Sequence, residues 1–418
     1  MKLPKGWDIY EFGKAVVFNP KVKFQRGERY PFIEMDDVSP TDKYVKQKES
    51  KEYTSGSCSK FKNNDVLFAR ITPCLDNKKI ATASIGENQI GFGSTEFIIL
   101  RERSGITIQE YVHYLSKSEY IIQNAINSYV GASGRQRADA KFIKKVKVPV
   151  PPIPEQEKIA SLLSAYDDLI ENNNKRISIL EQTVEQIYKE WFVRMRFPGY
   201  EKTEFKKGIP KGWEWKPINE FSKKITRGIA PKYDDNAEFL AINQKCIRDG
   251  RIDLDLGRRQ SKDFPIFKQI LFGDVLINST GEGTLGRIAQ VYFDVTKTTV
   301  DTHVSIVRPN EKINIDCFGY CLLSLSNHFA YMAVGSTNQT ELTRETIART
   351  KILIPDIKIQ NIFSKIVSPL RLETENLLKQ IKMLKQTRDL LVPRLISGKL
   401  RVKELKEKIV VKKELQPV

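Results

Sequence analysis

Two stretches of the chain carry apolar residues at helical spacing over far more than the length of an ordinary helix. In the first, Ile159, Leu162, Tyr166, Leu169, Asn173, Ile177, Leu180, Val184, Ile187 and Trp191 follow at intervals of 3, 4, 3, 4, 4, 3, 4, 3 and 4. Alternating threes and fours mark a helix that lays one stripe against a partner helix, and the doubled four reads as a stutter. The second stretch repeats the pattern at Phe363, Ile366, Leu370, Glu373, Leu377, Ile381, Leu384, Arg388, Leu391 and Leu395. About 40 residues at ~1.5 Å rise make each helix roughly 60 Å long. Two such helices are expected to pack together as an antiparallel coiled coil. Pro369 is expected to kink or break the second near its start, because proline lacks a ladder N–H and clashes with the preceding turn. Ahead of each helix, short runs such as DVLFARI, TEFIIL and KVKVPV alternate with Gly, Asn, Asp and Pro. They predict β-rich domains with a few helices, one around Ile108–Tyr129.

The two halves are copies of one another. Leu3-Pro4-Lys5-Gly6-Trp7 returns as Ile209-Pro210-Lys211-Gly212-Trp213, and Asn64-Asp65-Val66-Leu67-Phe68 as Gly273-Asp274-Val275-Leu276-Ile277. From Gly131/Gly335 an ungapped register holds through Pro151/Pro355, Gln156/Gln360 and Glu171/Glu375 to Phe192/Ile396. Chance gives scattered matches, whereas one register over that length marks a tandem duplication. The expected fold is therefore α+β, with two pseudo-repeated β-rich domains separated by two long helices. The boundaries read 1–153 for the first domain, 154–196 for its helix and 197–208 for a connector. The second domain reads 209–357 and its helix 358–400, followed by a basic tail at 401–418.

Charge changes the picture more than composition does. Sixty-nine Lys and Arg against 51 Asp and Glu give +18, which favours a polyanionic partner. Five Cys, an odd number with no CxxC, argue against a disulfide framework and for a cytoplasmic setting. Cys317 and Cys321, one turn apart in an apolar stretch, read as core. Three His without HExxH spacing make a zinc site built by the protein improbable. No apolar run approaches the ~18 residues of a membrane span. Gly281-Glu282-Gly283-Thr284-Leu285-Gly286 is literally GxGxxG, but the β-branched RIAQVYF that follows predicts a strand where a dinucleotide site needs a helix. No methyltransferase NPPY or DPPY, P-loop or nuclease frame is present, so no cofactor is expected on this chain.

Several segments resemble one family closely. VPVPPIPEQEKIASLL (148–163), ENNNKRISILEQTVEQIYKEWFV (171–193), the openings LPKGW and IPKGW, and the closing LLVPRLISGKL (390–400) are similar to specificity subunits of type I restriction–modification systems. The resemblance spans essentially the whole chain. It implies two target-recognition domains, each reading one half of a bipartite, asymmetric sequence in double-stranded DNA, with the helices as spacer and docking surface. It also implies two methyltransferase subunits and restriction (translocase–nuclease) subunits as partners, with S-adenosylmethionine, and ATP with Mg for restriction, bound by them. Two alternatives stay open: the recognition subunit of a system whose methyltransferase and nuclease share one chain, and a basic coiled-coil scaffold binding nucleic acid without sequence preference.

DNA reading needs cations for phosphates and forked or amide side chains for base edges. The loop at 131–137 supplies Ser133, Arg135, Gln136 and Arg137, and its repeat supplies Thr337, Asn338 and Gln339 with Arg344 beyond. Loops after the Asp-Val-Leu strands add Arg70 in the first copy and Asn278, Thr280 and Arg287 in the second. Lys223, Arg227 and Lys245 form a further group, each competing with the reading of a plain surface charge; Lys144 and Lys145, flanking a strand, suit phosphates better than bases.

If the helices set the unread gap, four residues inserted near Asn173 and near Leu377 together should change the spacing between half-sites while preserving both. Mapping the methylated motif measures this, and an unchanged gap would place the ruler elsewhere.

Overall fold

The computed structural model describes residues 3–403 apart from 55, 133, 294 and 333–340. Four positions proposed for DNA contact, Ser133, Thr337, Asn338 and Gln339, lie outside the described residues, as does the tail beyond 403. The chain divides into two compact units, Met1–Asn174 with Lys379–Val418, and Lys175–Leu378. Each unit holds one sheet domain, half of the first long helix and half of the second.

Both domains are closed by a two-stranded ribbon in which a strand near the start pairs antiparallel with the last. Asp8–Glu11 lies on Lys147–Val150 in the first domain, and Glu214–Pro217 on Lys351–Ile354 in the second. The chain therefore enters and leaves each domain at one place, and the long helix starts there. The central sheet of the first domain runs, in order, Val16–Phe18, Phe97–Glu102, Val66–Ala69, Ile80–Ser84 and Tyr44–Lys46. That of the second runs Ser222–Arg227, Val304–Pro309, Val275–Asn278 and Ile288–Gln290. Strands Val66–Ala69 and Val275–Asn278 are buried throughout, so they read as continuous apolar runs without alternation. Asp65 and Asp274, fully buried just ahead of them, hold Arg101 and Arg308 on the neighbouring strands with paired oxygens, 2.7–2.8 Å away. Cys317 and Cys321 are buried in the helix Ile315–Leu323.

The long helices run Ile153–Tyr188 and Ile357–Ile396. Pro369 does not break the second. Val367 is fully buried and Leu370 partly so, in the apolar cluster with Phe363, and that packing outweighs one missing ladder bond. The seam also differs from the expected one. Among the buried and part-buried positions, one continuous stripe runs Ile159, Leu163, Tyr166, Ile170, Asn173, Ile177, Leu180, Val184, Ile187 and Trp191, spaced 4, 3, 4, 3, 4, 3, 4, 3, 4. The second helix matches with Phe363, Val367, Leu370, Thr374, Leu377, Ile381, Leu384, Arg388, Leu391 and Leu395. This is an unbroken heptad, with no stutter. The expected stripe chose the wrong member of apolar neighbours: Leu163 and Ile170 face inward, while Leu169 is 51% exposed.

Within each unit the two half-helices run antiparallel. In the first, Asp167 pairs with Arg388 and Asn173 donates to Gln380; in the second, Arg176 pairs with Glu373. Asp167, 5% exposed, also accepts from the Tyr114 hydroxyl of the sheet domain, and Arg388 donates to the Thr41 carbonyl. One buried carboxylate thus ties the first domain to both helices.

Two predictions follow from this junction. Asp167→Leu leaves the buried Arg388 guanidinium only the 65% exposed Asp389 as a carboxylate partner and should cost about 2–4 kcal/mol in denaturant unfolding, most of which the double variant with Arg388→Met restores. Burial, reinforced by the charges of Lys117, Lys43 and Arg388, holds the adjacent His113 imidazole well below its ordinary value of 6.5, hence neutral. Below about pH 6.5 the unfolded chain takes up a proton that the folded chain refuses. Stability is therefore intact above that pH and falls as pH drops, by up to about 1.4 kcal/mol per unit. His113→Gln should flatten this slope in unfolding curves taken between pH 7 and 5.

Candidate nucleic-acid interface

In each domain three chain segments meet at the end of the buried central strand, held by the same backbone bonds. In the first domain, Arg70 N–H donates to the Glu96 carbonyl (2.9 Å) and Ala138 N–H to the Arg70 carbonyl (2.7 Å), with a bridge between Ile71 and Arg137. In the second, Ser279 N–H donates to the His303 carbonyl (2.8 Å) and Leu342 N–H to the Ser279 carbonyl (2.8 Å), with a bridge between Thr280 and Glu341. The frame is one; the side chains it presents are different.

In the first domain it presents Arg70, Glu96 and Arg137. Glu96 takes the Nε and Nη2 edge of Arg137 at 2.6–2.9 Å, and the two side chains are 46% and 19% exposed, arginine first. The Nε of Arg70 is buried without a partner among the described residues. Gln136 pairs through its backbone with Thr72, which fixes the strand just before Arg137. Arg135 is exposed on the same loop.

The second domain presents Thr280, His303 and Glu341. Gln244 donates to the Thr280 hydroxyl (3.0 Å), and that hydroxyl lies 2.7 Å from His303 Nδ1. The hydroxyl, with one proton and two lone pairs, thus links the Gln244 amide to the imidazole. His303 is exposed, so the far edge of its ring faces outward from the frame. Gly281, at φ +99°, lets the loop pass over Gln244, whose Nε2 would sit 2.6 Å from any added Cβ. The strand Ile288–Gln290 follows Gly286 where a dinucleotide site would need a helix.

Asn278 does not belong among the contacting residues. It is fully buried and donates to the carbonyls of Gln244 (3.0 Å) and Thr284 (3.2 Å), so it shapes the loop from beneath. Arg287 likewise braces the loop through the Gly283 carbonyl (2.8 Å). Lys144 lays its stem over Gly13, with the ammonium 5.4 Å from the Phe18 ring, and Lys145 ends the same helix, Ala140–Lys145. Neither joins the frame. Lys223 and Lys245 are exposed, outside it as well.

Beside the second frame lies a concavity of about 760 Å³ that gathers Arg227, Arg344 and Lys268 around Glu341 and Glu345. Arg227 pairs with Glu341 (2.7 Å) and donates to the Leu342 carbonyl (2.9 Å). Lys268 donates to the Gly228 carbonyl, and burial with the nearby Arg344 charge pulls its ammonium below the ordinary value. Sequence reasoning missed Lys268, Glu96, His303 and Glu341. Lys268 sits in the apolar run PIFKQI and gives no signal. Glu96 and His303 were findable, since both immediately precede the strand that pairs with the repeated Asp-Val-Leu strand.

Two sheet domains built on one plan, each carrying a differently furnished frame and each followed by a long helix, define a duplicated recognition protein. The chain belongs to the type I restriction modification DNA specificity domain family, whose family model matches residues 7–182 and again 210–386. It is 28% identical over 433 residues to the type I restriction enzyme MjaIX specificity subunit of Methanocaldococcus jannaschii, covering 97% of this chain and 96% of that one. It is 21% identical over 424 residues to the MjaVIII specificity subunit of the same organism, covering 97% and 95%. The crystal structure of the type I restriction–modification system S subunit from M. genitalium superposes with a TM-score of 0.57 at 15% identity, covering 95% of this chain and 98% of that chain, and shares the fold.

Proposed function

We propose that this chain is the sequence-reading subunit of a type I restriction–modification complex, with each domain reading one half of a gapped, asymmetric DNA target. The observation that carries this reading is the frame repeated in both domains with unlike side chains. The same backbone bonds hold Glu96 and Arg137 in one copy where the other has His303 and Glu341, side chains suited to different bases, which supports two unlike half-sites. The +18 charge supplies the sequence-independent attraction to phosphates. The helix pair sets the unread gap.

Methylation and cleavage belong to partner chains in this reading. Two methyltransferase subunits bind S-adenosylmethionine, and restriction subunits use ATP with Mg.

The test is to map methylated adenines in cells carrying the gene and in cells lacking it. A gapped asymmetric motif present only with the gene is the expected result. Replacing 209–354 with the matching segment of a relative should then change one half of the motif and leave the other. Binding that responds to salt but is indifferent to sequence would instead identify a nucleic-acid scaffold.

A further inference from the structure

We infer that Arg137, braced by Glu96, reads a guanine in the half-site of the first domain, and that Glu96 acts as its positioning residue. The inference rests on the DNA-reading role proposed above and goes beyond it by naming the base and the residue pair.

A guanidinium has two edges that can each make paired hydrogen bonds. Glu96 occupies the Nε and Nη2 edge of Arg137. What remains is Nη1 with the outer hydrogen of Nη2, two parallel donors spaced to meet the O6 and N7 acceptors of guanine in the major groove. The carboxylate is itself held low in the frame, 19% exposed, with the Glu96 N–H donating to the Ser94 hydroxyl (3.2 Å). The Arg137 backbone is fixed by its bridge to Ile71 and by Ala138 N–H on the Arg70 carbonyl. The fork is thus presented on a rigid base, so little side-chain entropy remains to be lost on binding.

Charge decides between base and phosphate. The Arg137–Glu96 pair has no net charge, so it gains little from a phosphate and releases no counterion by neutralising one. Directional hydrogen bonds are what it has left to offer, and these discriminate bases. The matching positions in the second domain are Glu341 and His303, which present no fork, so the guanine is specific to one half-site.

The experiment uses the full-length chain and duplexes carrying its mapped target with every single-base replacement, with binding measured across a salt series. Arg137→Lys keeps the charge and removes the fork. It should erase discrimination at one guanine of one half-site, a loss of roughly 5- to 150-fold, with the salt slope unchanged and the other half-site read as before. Glu96→Gln leaves Arg137 loose and its charge unneutralised. It should weaken the same guanine preference and steepen the salt slope by about 0.9. Retained discrimination at the other half-site shows that each variant is folded. A uniform loss over all duplexes with Arg137→Lys, or an unaltered guanine preference, would overturn the inference while leaving the DNA-reading role in place. A wild-type chain that tells no duplex from another would overturn both.

Discussion

One buried side chain in each half decides how the rest is held. Gln156 and Gln360 sit in the first turn of the two long helices, 0% and 1% exposed. Each Oε1 accepts an N–H at the start of the domain's first helix after the central sheet, from Ile108 (3.0 Å) and Asn314 (2.9 Å). Each Nε2 donates to the carbonyl of the proline that ends the closing ribbon, Pro151 or Pro355, at 2.8 Å, and Gln156 reaches the Ile106 carbonyl as well. A buried amide with its donors and acceptor in use is costly to displace, because every partner would be left unsatisfied. Helix, ribbon and sheet domain are therefore one piece in each unit, and the recognition frame keeps a fixed relation to its half-helices.

That rigidity separates scaffold from specificity. The backbone bonds at the end of the central strand are the same in both domains to within about 0.1 Å, while the side chains at matching positions differ, Glu96 against His303 and Arg137 against Glu341. A surface built so can change what it reads by substitution at a few positions without touching the core. Asn278, buried under the glycine-rich loop, holds the frame end of its strand, and Asp65 and Asp274 with their arginines hold the opposite ends of the two central strands.

The helix seam shows the same economy with charge. Asp167 and Arg388 occupy buried positions where apolar residues would pack as well, and a buried ion pair gives little net stability. Its effect is on pairing. Under the repeat, Asp167 corresponds to Arg371 and Arg388 to Val184, so pairing either helix with its own kind would bury a lone carboxylate or oppose two arginines. The pair therefore favours joining unlike helices in the antiparallel register seen within each unit.

Much was legible in the sequence because it depends on local pattern or on repetition. The duplication, the two long helices, the β-rich domains and the polar loops near the strand ends follow from periodicity and from residues recurring at fixed spacing. The family resemblance rested on the same segments. What the sequence misjudged is what depends on a partner in space. Leu162 and Leu163, or Leu169 and Ile170, are equal candidates for a seam until a second helix chooses one, and the wrong choice produced a stutter that does not exist. Asp167 gives no signal along its own helix, one position past the seam residue Tyr166; only Arg388, 221 residues away, gives it a partner there. Asn278 looked like a ligand-facing amide until its burial showed both donors turned inward. Glu96 and Arg137 carry no mutual signal over 41 residues, and the strand pairing that brings them together makes the fork. Periodicity fixes which way a residue faces along its own element; which residue it meets is decided by the packing of elements distant in the chain.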